Sequence, residues 1–284
     1  MKGPFRFAKA HGLANDFVLV EGDPSAIGPA AAEWAGRICD RHTGIGGDGV
    51  IVYAVRDGSS MAMRLFNSDG SDGDLSGNGL RCLSAYVVAQ GRLPESHVVE
   101  TPPGPRAVKV SRRAGASYRV EADLGEPVLA SAGIPVQLDP PQPRVVDHPL
   151  EVAGETLRIT ATSMGNPHCT LLLDQPADDA RIASLGPALE RHPFFPRRTN
   201  VEFAVAVGRG ELAVRFWERG VGPTRASGTG SAAAAVAAIL HDRVDRRVRV
   251  VCEGGVLEVS WPEGGSLRQT GDVELLFEGE WLPE

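Results

Sequence analysis

The feature that most constrains this chain is a repeat. Ser76-Gly77-Asn78-Gly79 and Ser227-Gly228-Thr229-Gly230 lie 151 positions apart (227 − 76), and each opens an apolar run of helical composition. The flanks echo at the same offset: Asn15 falls on Asn166, Arg64 on Arg215, Phe66 on Trp217 and Asn67 on Glu218. A unit that recurs with its turns and flanks at one spacing predicts two copies of one fold. The match is incomplete, because Asn200 falls on Gly49. The two halves therefore offer related but unequal sets of polar groups.

Each half reads as many short strands around one long helix. Phe17 to Val20, Val50 to Val55 and Ala62 to Phe66 are strand-like in the first half, and Val201 to Phe203 and Leu212 to Trp217 in the second. From Gly77 onward, Leu80, Leu83 and Val87 recur at three- and four-residue spacing, so that helix buries a face. The prolines at 127, 135, 140, 141 and 143 mark the expected crossover between halves. The expectation is an α+β fold of two pseudo-symmetric domains, each a curved, mostly antiparallel sheet or barrel around a central helix. The halves span residues 1–126 and 127–271, and a final strand, about 272–284, is expected to return to the first.

Composition narrows the function. In 284 residues the net charge is −7, which gives no basic face for nucleic acid. No stretch approaches the roughly 20 apolar residues of a membrane span, and residues 1–10 lack the apolar core of a signal peptide. Cys39, Cys82, Cys169 and Cys252 are scattered, with no C-x-x-C pair. They read as buried hydrophobes of a reduced, cytoplasmic protein, with no zinc site and no disulfide framework. The glycines between Gly44 and Gly49 lack the Lys-Ser/Thr pair of a phosphate loop, so no nucleotide cofactor is expected.

The two turns carry the chemistry. A helix N-terminus offers unbonded N–H groups and a partial positive charge, and together these hold anions. Gly77, Asn78, Gly228 and Thr229 are thus candidates to cradle a carboxylate. One Ser-Gly-x-Gly is an ordinary helix cap; two at a fixed offset with matching flanks point to a repeated site. Asn15, Asn67, Asn166 and Asn200 stand in turns or at strand ends, where asparagine also serves turn geometry. Arg219 is placed to clamp a carboxylate, and Glu218 to bind an ammonium or tune a neighbour. His168 is either a proton-tuning group or a satisfied turn histidine.

Longer motifs then become specific. His11-Gly12-Leu13-Ala14-Asn15-Asp16-Phe17-Val18 resembles the opening motif of diaminopimelate epimerases. So do the segments Cys39 to Gly49, Phe66 to Ser71, Gly77 to Cys82, Met164 to His168, Thr199 to Phe203 and Trp217 to Gly220, in family order. The resemblance implies a cofactor-independent, homodimeric isomerase acting on diaminopimelate, in lysine and peptidoglycan-precursor synthesis, with its two domains closing over the substrate. In that family one cysteine removes the α-proton and another delivers a proton to the opposite face. Asn15, Asn67, Asn166, Asn200 and Arg219 would hold the distal end of the substrate. Gly77-Asn78 and Gly228-Thr229 would receive the reacting carboxylate, with His168 and Glu218 tuning the acid/base pair.

Both catalytic positions are serine here, Ser76 and Ser227. A helix N-terminus lowers a thiol from about 8.5 toward neutrality, but a hydroxyl is far less acidic and its alkoxide scarce. Two other readings stay open on this ground: an amino-acid-binding homologue with its acid/base pair removed, and a racemase or dehydratase of another amino acid.

Overall fold

Alternation builds the strands and small residues build the centre. In the computed structural model, which describes residues 3–28, 31–73 and 75–282, the chain divides into two units. These are Met1–Asp123 with Thr270–Glu284, and Leu124–Gln269.

The first unit carries β1 (Phe5–Gly12), β2 (Asn15–Glu21), α1 (Ala31–Cys39), β3 (Gly49–Asp57), β4 (Ser60–Asn67), β5 (Asp72–Gly73), α2 (Gly77–Ala89), β6 (Ser96–Thr101), β7 (Gly104–Ala114) and β8 (Ser117–Gly125). The second carries β9 (Val145–Val152), β10 (Glu155–Ser163), β11 (Pro167–Leu173), α3 (Asp179–Glu190), β12 (Asn200–Gly208), β13 (Glu211–Glu218), β14 (Gly222–Thr224), α4 (Gly228–Leu240), β15 (Arg247–Cys252) and β16 (Gly255–Ser260). The last strand, β17 (Leu267–Trp281), belongs to the first unit from Thr270 onward.

In the first unit β17, β1, β2, β3, β4, β6, β7 and β8 pair in that order, and β8 pairs back to β17. Closure of the ring removes exposed strand edges. Two of the pairings, β2 with β3 and β4 with β6, are parallel. The second unit repeats the plan, as β9, β10, β11, β12, β13, β15 and β16, with β11–β12 and β13–β15 parallel.

The repeat holds at residue level. Helix α2 at 77–89 becomes α4 at 228–240, β4 at 60–67 becomes β13 at 211–218, and β6 at 96–101 becomes β15 at 247–252. Register is kept as well: Phe17 faces Gly49 as His168 faces Asn200, and Met61 faces Val99 as Leu212 faces Val250. A one-residue slip would turn every core side chain outward, so conserved register means a conserved core face.

Each central helix is buried nearly all round, as a helix enclosed by strands must be. In α4 every residue from Gly228 to Ala238 is buried, and the run of alanines lets β10 to β13 pack close on its sides. Helix α2 is buried from Gly77 to Ala85, with Arg81 the largest side chain enclosed. Strand β9 was not foreseen, because Pro149 within Val145–Val152 argues against a strand. The structure pairs β9 with β10, with Pro149 opposite Arg158.

Candidate active site

Ser76 and Ser227 occupy one structural position in the two units. Each is the extended residue before its central helix, with φ −112° and −138°. The Gly79 N–H donates to Ser76 Oγ at 3.1 Å, and the Gly230 N–H to Ser227 Oγ at 3.3 Å. This capping bond satisfies the third amide of each helix and leaves the amides of Gly77 and Asn78, and of Gly228 and Thr229, outside the helical ladder. Space for a side chain at the third position is tight. A Cβ on Gly79 would lie 2.8 Å from Ile51 Cδ1, and one on Gly230 would lie 3.0 Å from both Phe216 Cδ1 and Ser227 Oγ.

In the first unit the structure brings Asn15 and Asn78 together. Asn78 Nδ2 donates to Asn15 Oδ1 at 3.0 Å, Arg81 donates to Asn78 Oδ1, and Asn15 Nδ2 donates to Asp48 Oδ2 at 2.7 Å. Asp48 also accepts from Arg41 at 2.9 Å, and Arg41 and Lys9 both pair with Asp16 at 2.7 Å. Burial by itself would raise the Asp16 carboxyl, but hydrogen bonds from Arg41 and Lys9 overrule it and hold the group well below the usual carboxylate range. Asn67, at the end of β4, stands apart and donates from Nδ2 to Ser71 Oγ at 2.9 Å.

The second unit assembles its polar groups differently. His168 is fully buried, with Nδ1 2.6 Å from Glu202 Oε1 and Nε2 2.8 Å from Asn166 Oδ1. Thr170 Oγ1 donates to Glu202 Oε2 at 3.1 Å. Asn200 Nδ2 donates to the Pro167 carbonyl at 3.0 Å, and its Oδ1 accepts the Arg219 N–H at 3.0 Å. Arg219 itself donates to the Arg197 carbonyl at 3.2 Å, and Glu218 Oε1 accepts from Thr224 Oγ1 at 2.5 Å.

Four residues outside the sequence-derived set hold this framework. Asp48 and Glu202 anchor Asn15 and His168. Glu190, 2% exposed, accepts from Trp217 Nε1 at 2.8 Å and from the Gly220 N–H at 3.0 Å, so it clamps the turn carrying Glu218 and Arg219 from both sides. Gln269 Nε2 donates to the Gly228 carbonyl at 2.7 Å, at the start of α4. Glu202 left a signal in the sequence, an acid between Val201 and Phe203 in a strand buried on both faces.

None of the four cysteines caps a central helix. Burial pushes the Cys82 thiol up to about 12 and Cys39 up to about 11, and raises Cys169 as well. Among the described residues no group of three His, Cys, Asp or Glu side chains is placed to hold a metal ion, and no helix is long and apolar enough to cross a membrane.

Each of the two units is a set of strands around a central helix that opens on a serine cap with two unladdered amides. The fold is shared with a hydroxyproline epimerase from Agrobacterium vitis, at TM-score 0.68 and 14% identity over 99% of this chain and 94% of that one. Residues 7–130 and 160–276 match the sequence profile of the diaminopimelate epimerase family. The diaminopimelate epimerase of Pelotomaculum thermopropionicum is 41% identical over 277 residues, covering 97% of this chain and 98% of that protein. That of Synechocystis is 42% identical over 278 residues, covering 96% and 98%. The chain belongs to the diaminopimelate epimerase family and is an isomerase.

Proposed function

We propose that this chain binds 2,6-diaminopimelate and interconverts its LL and meso forms by cofactor-independent proton transfer at the α-carbon, slowly, because Ser76 and Ser227 stand at the two proton-transfer positions. The observation that carries the reading is the equivalence of the two serines. Each caps a buried helix of the same length, with two unladdered amides beside it. Those amides, at Gly77-Asn78 and Gly228-Thr229, receive the reacting carboxylate and stabilise the charge that spreads onto it when the α-proton leaves. Asn15, Asn67, Asn166, Asn200 and Arg219 hold the distal amino-acid end. Glu218 and His168 set the electrostatics of the acid/base pair.

The limit on rate is acidity. A proton-transfer group works best when its pKa lies near the operating pH, and a serine hydroxyl lies far above it. The capping N–H on each Oγ favours the alkoxide without closing that gap. The same family membership supports a homodimer working in the cytoplasm, in lysine and peptidoglycan-precursor synthesis.

The test is incubation with LL- and meso-diaminopimelate in heavy water. The expected result is saturable binding and slow deuterium entry at the α-carbon, abolished by Arg219→Ala. Binding with no exchange at all would make the chain an amino-acid-binding homologue. Failure to bind, with loss of water from a hydroxy amino acid instead, would replace the substrate assignment.

A further inference from the structure

We infer that Glu202 is a positioning residue for ligand recognition: acting through His168, it fixes which end of the Asn166 side-chain amide is offered to the ligand. The inference rests on the functional reading above, which makes Asn166 a ligand residue. Strands β11 and β12 run parallel with His168 opposite Asn200 and Thr170 opposite Glu202. His168, Thr170 and Glu202 are each 2% exposed or less, so their polar groups must be satisfied internally.

The hydrogen-bond count decides the orientation. Glu202 is a buried carboxylate with both oxygens engaged, one by Thr170 and one by His168 Nδ1 at 2.6 Å. Nδ1 faces a carboxylate oxygen and Nε2 faces Oδ1 of Asn166, so each ring nitrogen of His168 meets an acceptor. A ring held between two acceptors satisfies both only by donating from both nitrogens. Nε2 therefore donates to Asn166 Oδ1 at 2.8 Å, and the two Nδ2 hydrogens of Asn166 face away from the ring. Asn166 is thus set as a donor, the end that suits a carboxylate.

Replacing Glu202 by its neutral isostere lets the ring satisfy its partners with a single hydrogen. In Glu202→Gln the ring keeps hydrogen on Nδ1, which donates to the Gln oxygen, and Nε2 becomes an acceptor. The Asn166 amide then turns its NH2 to the ring and its oxygen to the ligand. A carboxylate that met two donors now meets an acceptor. The first-unit counterparts, Phe17, Leu19 and Ile51, have no hydrogen-bonding groups and can perform no such setting.

The experiment compares calorimetric affinities for meso-diaminopimelate and for lysine, which is the same molecule without the distal carboxylate. It also records the ¹⁵N resonances of the His168 ring. The unsubstituted protein is expected to show two ring N–H signals and Glu202→Gln one. Glu202→Gln is expected to weaken diaminopimelate about 10- to 100-fold and leave lysine within about twofold. Asn166→Asp removes the donors directly; it is expected to reproduce the selective loss while both ring signals remain. Should Glu202→Gln not fold, Thr170→Val loosens the same carboxylate, with a smaller loss of diaminopimelate affinity and lysine unaffected. Equal weakening of both ligands, or an unchanged pair of ring N–H signals in Glu202→Gln, would overturn the inference. An unsubstituted protein that binds no diaminopimelate would instead sink the functional reading, and the ring signals would still decide the relay.

Discussion

At one place in the repeat the first unit carries Phe17, Leu19 and Ile51, and the second carries His168, Thr170 and Glu202. Strand register and helix position are the same in both. The backbone thus accepts either an apolar layer or a buried, hydrogen-bonded polar layer beneath its central helix. The difference teaches that this layer was free to diverge once the frame was set. An apolar layer needs only volume; a polar one needs every partner present. The polar side groups of the two halves diverge in the same way. The first unit has its own charged cluster, Lys9, Asp16, Arg41 and Asp48, at positions where the second has Thr160, Pro167, His192 and Thr199.

The strongest way to break the comparison is to move one half's layer into the other. Glu202→Ile alone leaves His168 without its carboxylate and is expected to cost about 3–5 kcal/mol in urea unfolding. Substituting His168→Phe, Thr170→Leu and Glu202→Ile together installs the first unit's layer. That triple variant is expected to recover full stability or exceed it by about 1–4 kcal/mol. A triple variant as unstable as the single one would show that the two layers are not interchangeable.

A second exchange tests packing. Gly186 stands where the first unit has Ala35, and Trp217 where it has Phe66. A Cβ on Gly186 would lie 2.5 Å from the Trp217 indole. Gly186→Ala is expected to destabilise by about 1–3 kcal/mol, and adding Trp217→Phe to relieve most of that loss, as measured by thermal unfolding. No relief from the second change would mean the clash is not what glycine avoids.

How much of this was legible in the sequence follows from the same pairs. The 151-residue offset, the serine caps and the strand-rich plan were readable because turns and helix starts depend on local residues. The His168 choice between tuning group and satisfied histidine was not, because it turns on Glu202, 34 residues away in sequence and joined to it only by β-pairing. Glu190 escaped for a similar reason: a glutamate ending a helix reads as surface, and only the Trp217 and Gly220 bonds mark it as a clamp. Gln269 and Asp48 likewise act through contacts that no local pattern announces.

Smaller effects sharpen the symmetry. Ser76→Ala and Ser227→Ala each lose one capping bond and are expected to cost about 1 kcal/mol, equally in the two halves, by the same unfolding measurement. A large inequality would mean the caps are not equivalent. A further effect is in pH. Asp16 is held below its unfolded value, so its contribution is present above about pH 4 and is lost as pH falls toward the folded pKa. Asp16→Asn is expected to flatten the acid limb of stability below about pH 4. An unchanged slope would remove Asp16 from that account.

The central claim is that two equivalent serines stand where acidic proton-transfer groups belong. The measurement that addresses it most directly is the rate of α-deuterium incorporation into meso-diaminopimelate in heavy water, before and after Ser76→Cys and Ser227→Cys are made together. The account predicts that the double substitution raises the rate by at least about 10²–10⁴-fold, with either single substitution falling short of it. A double-cysteine protein that binds diaminopimelate but exchanges no faster than the serine protein would contradict it.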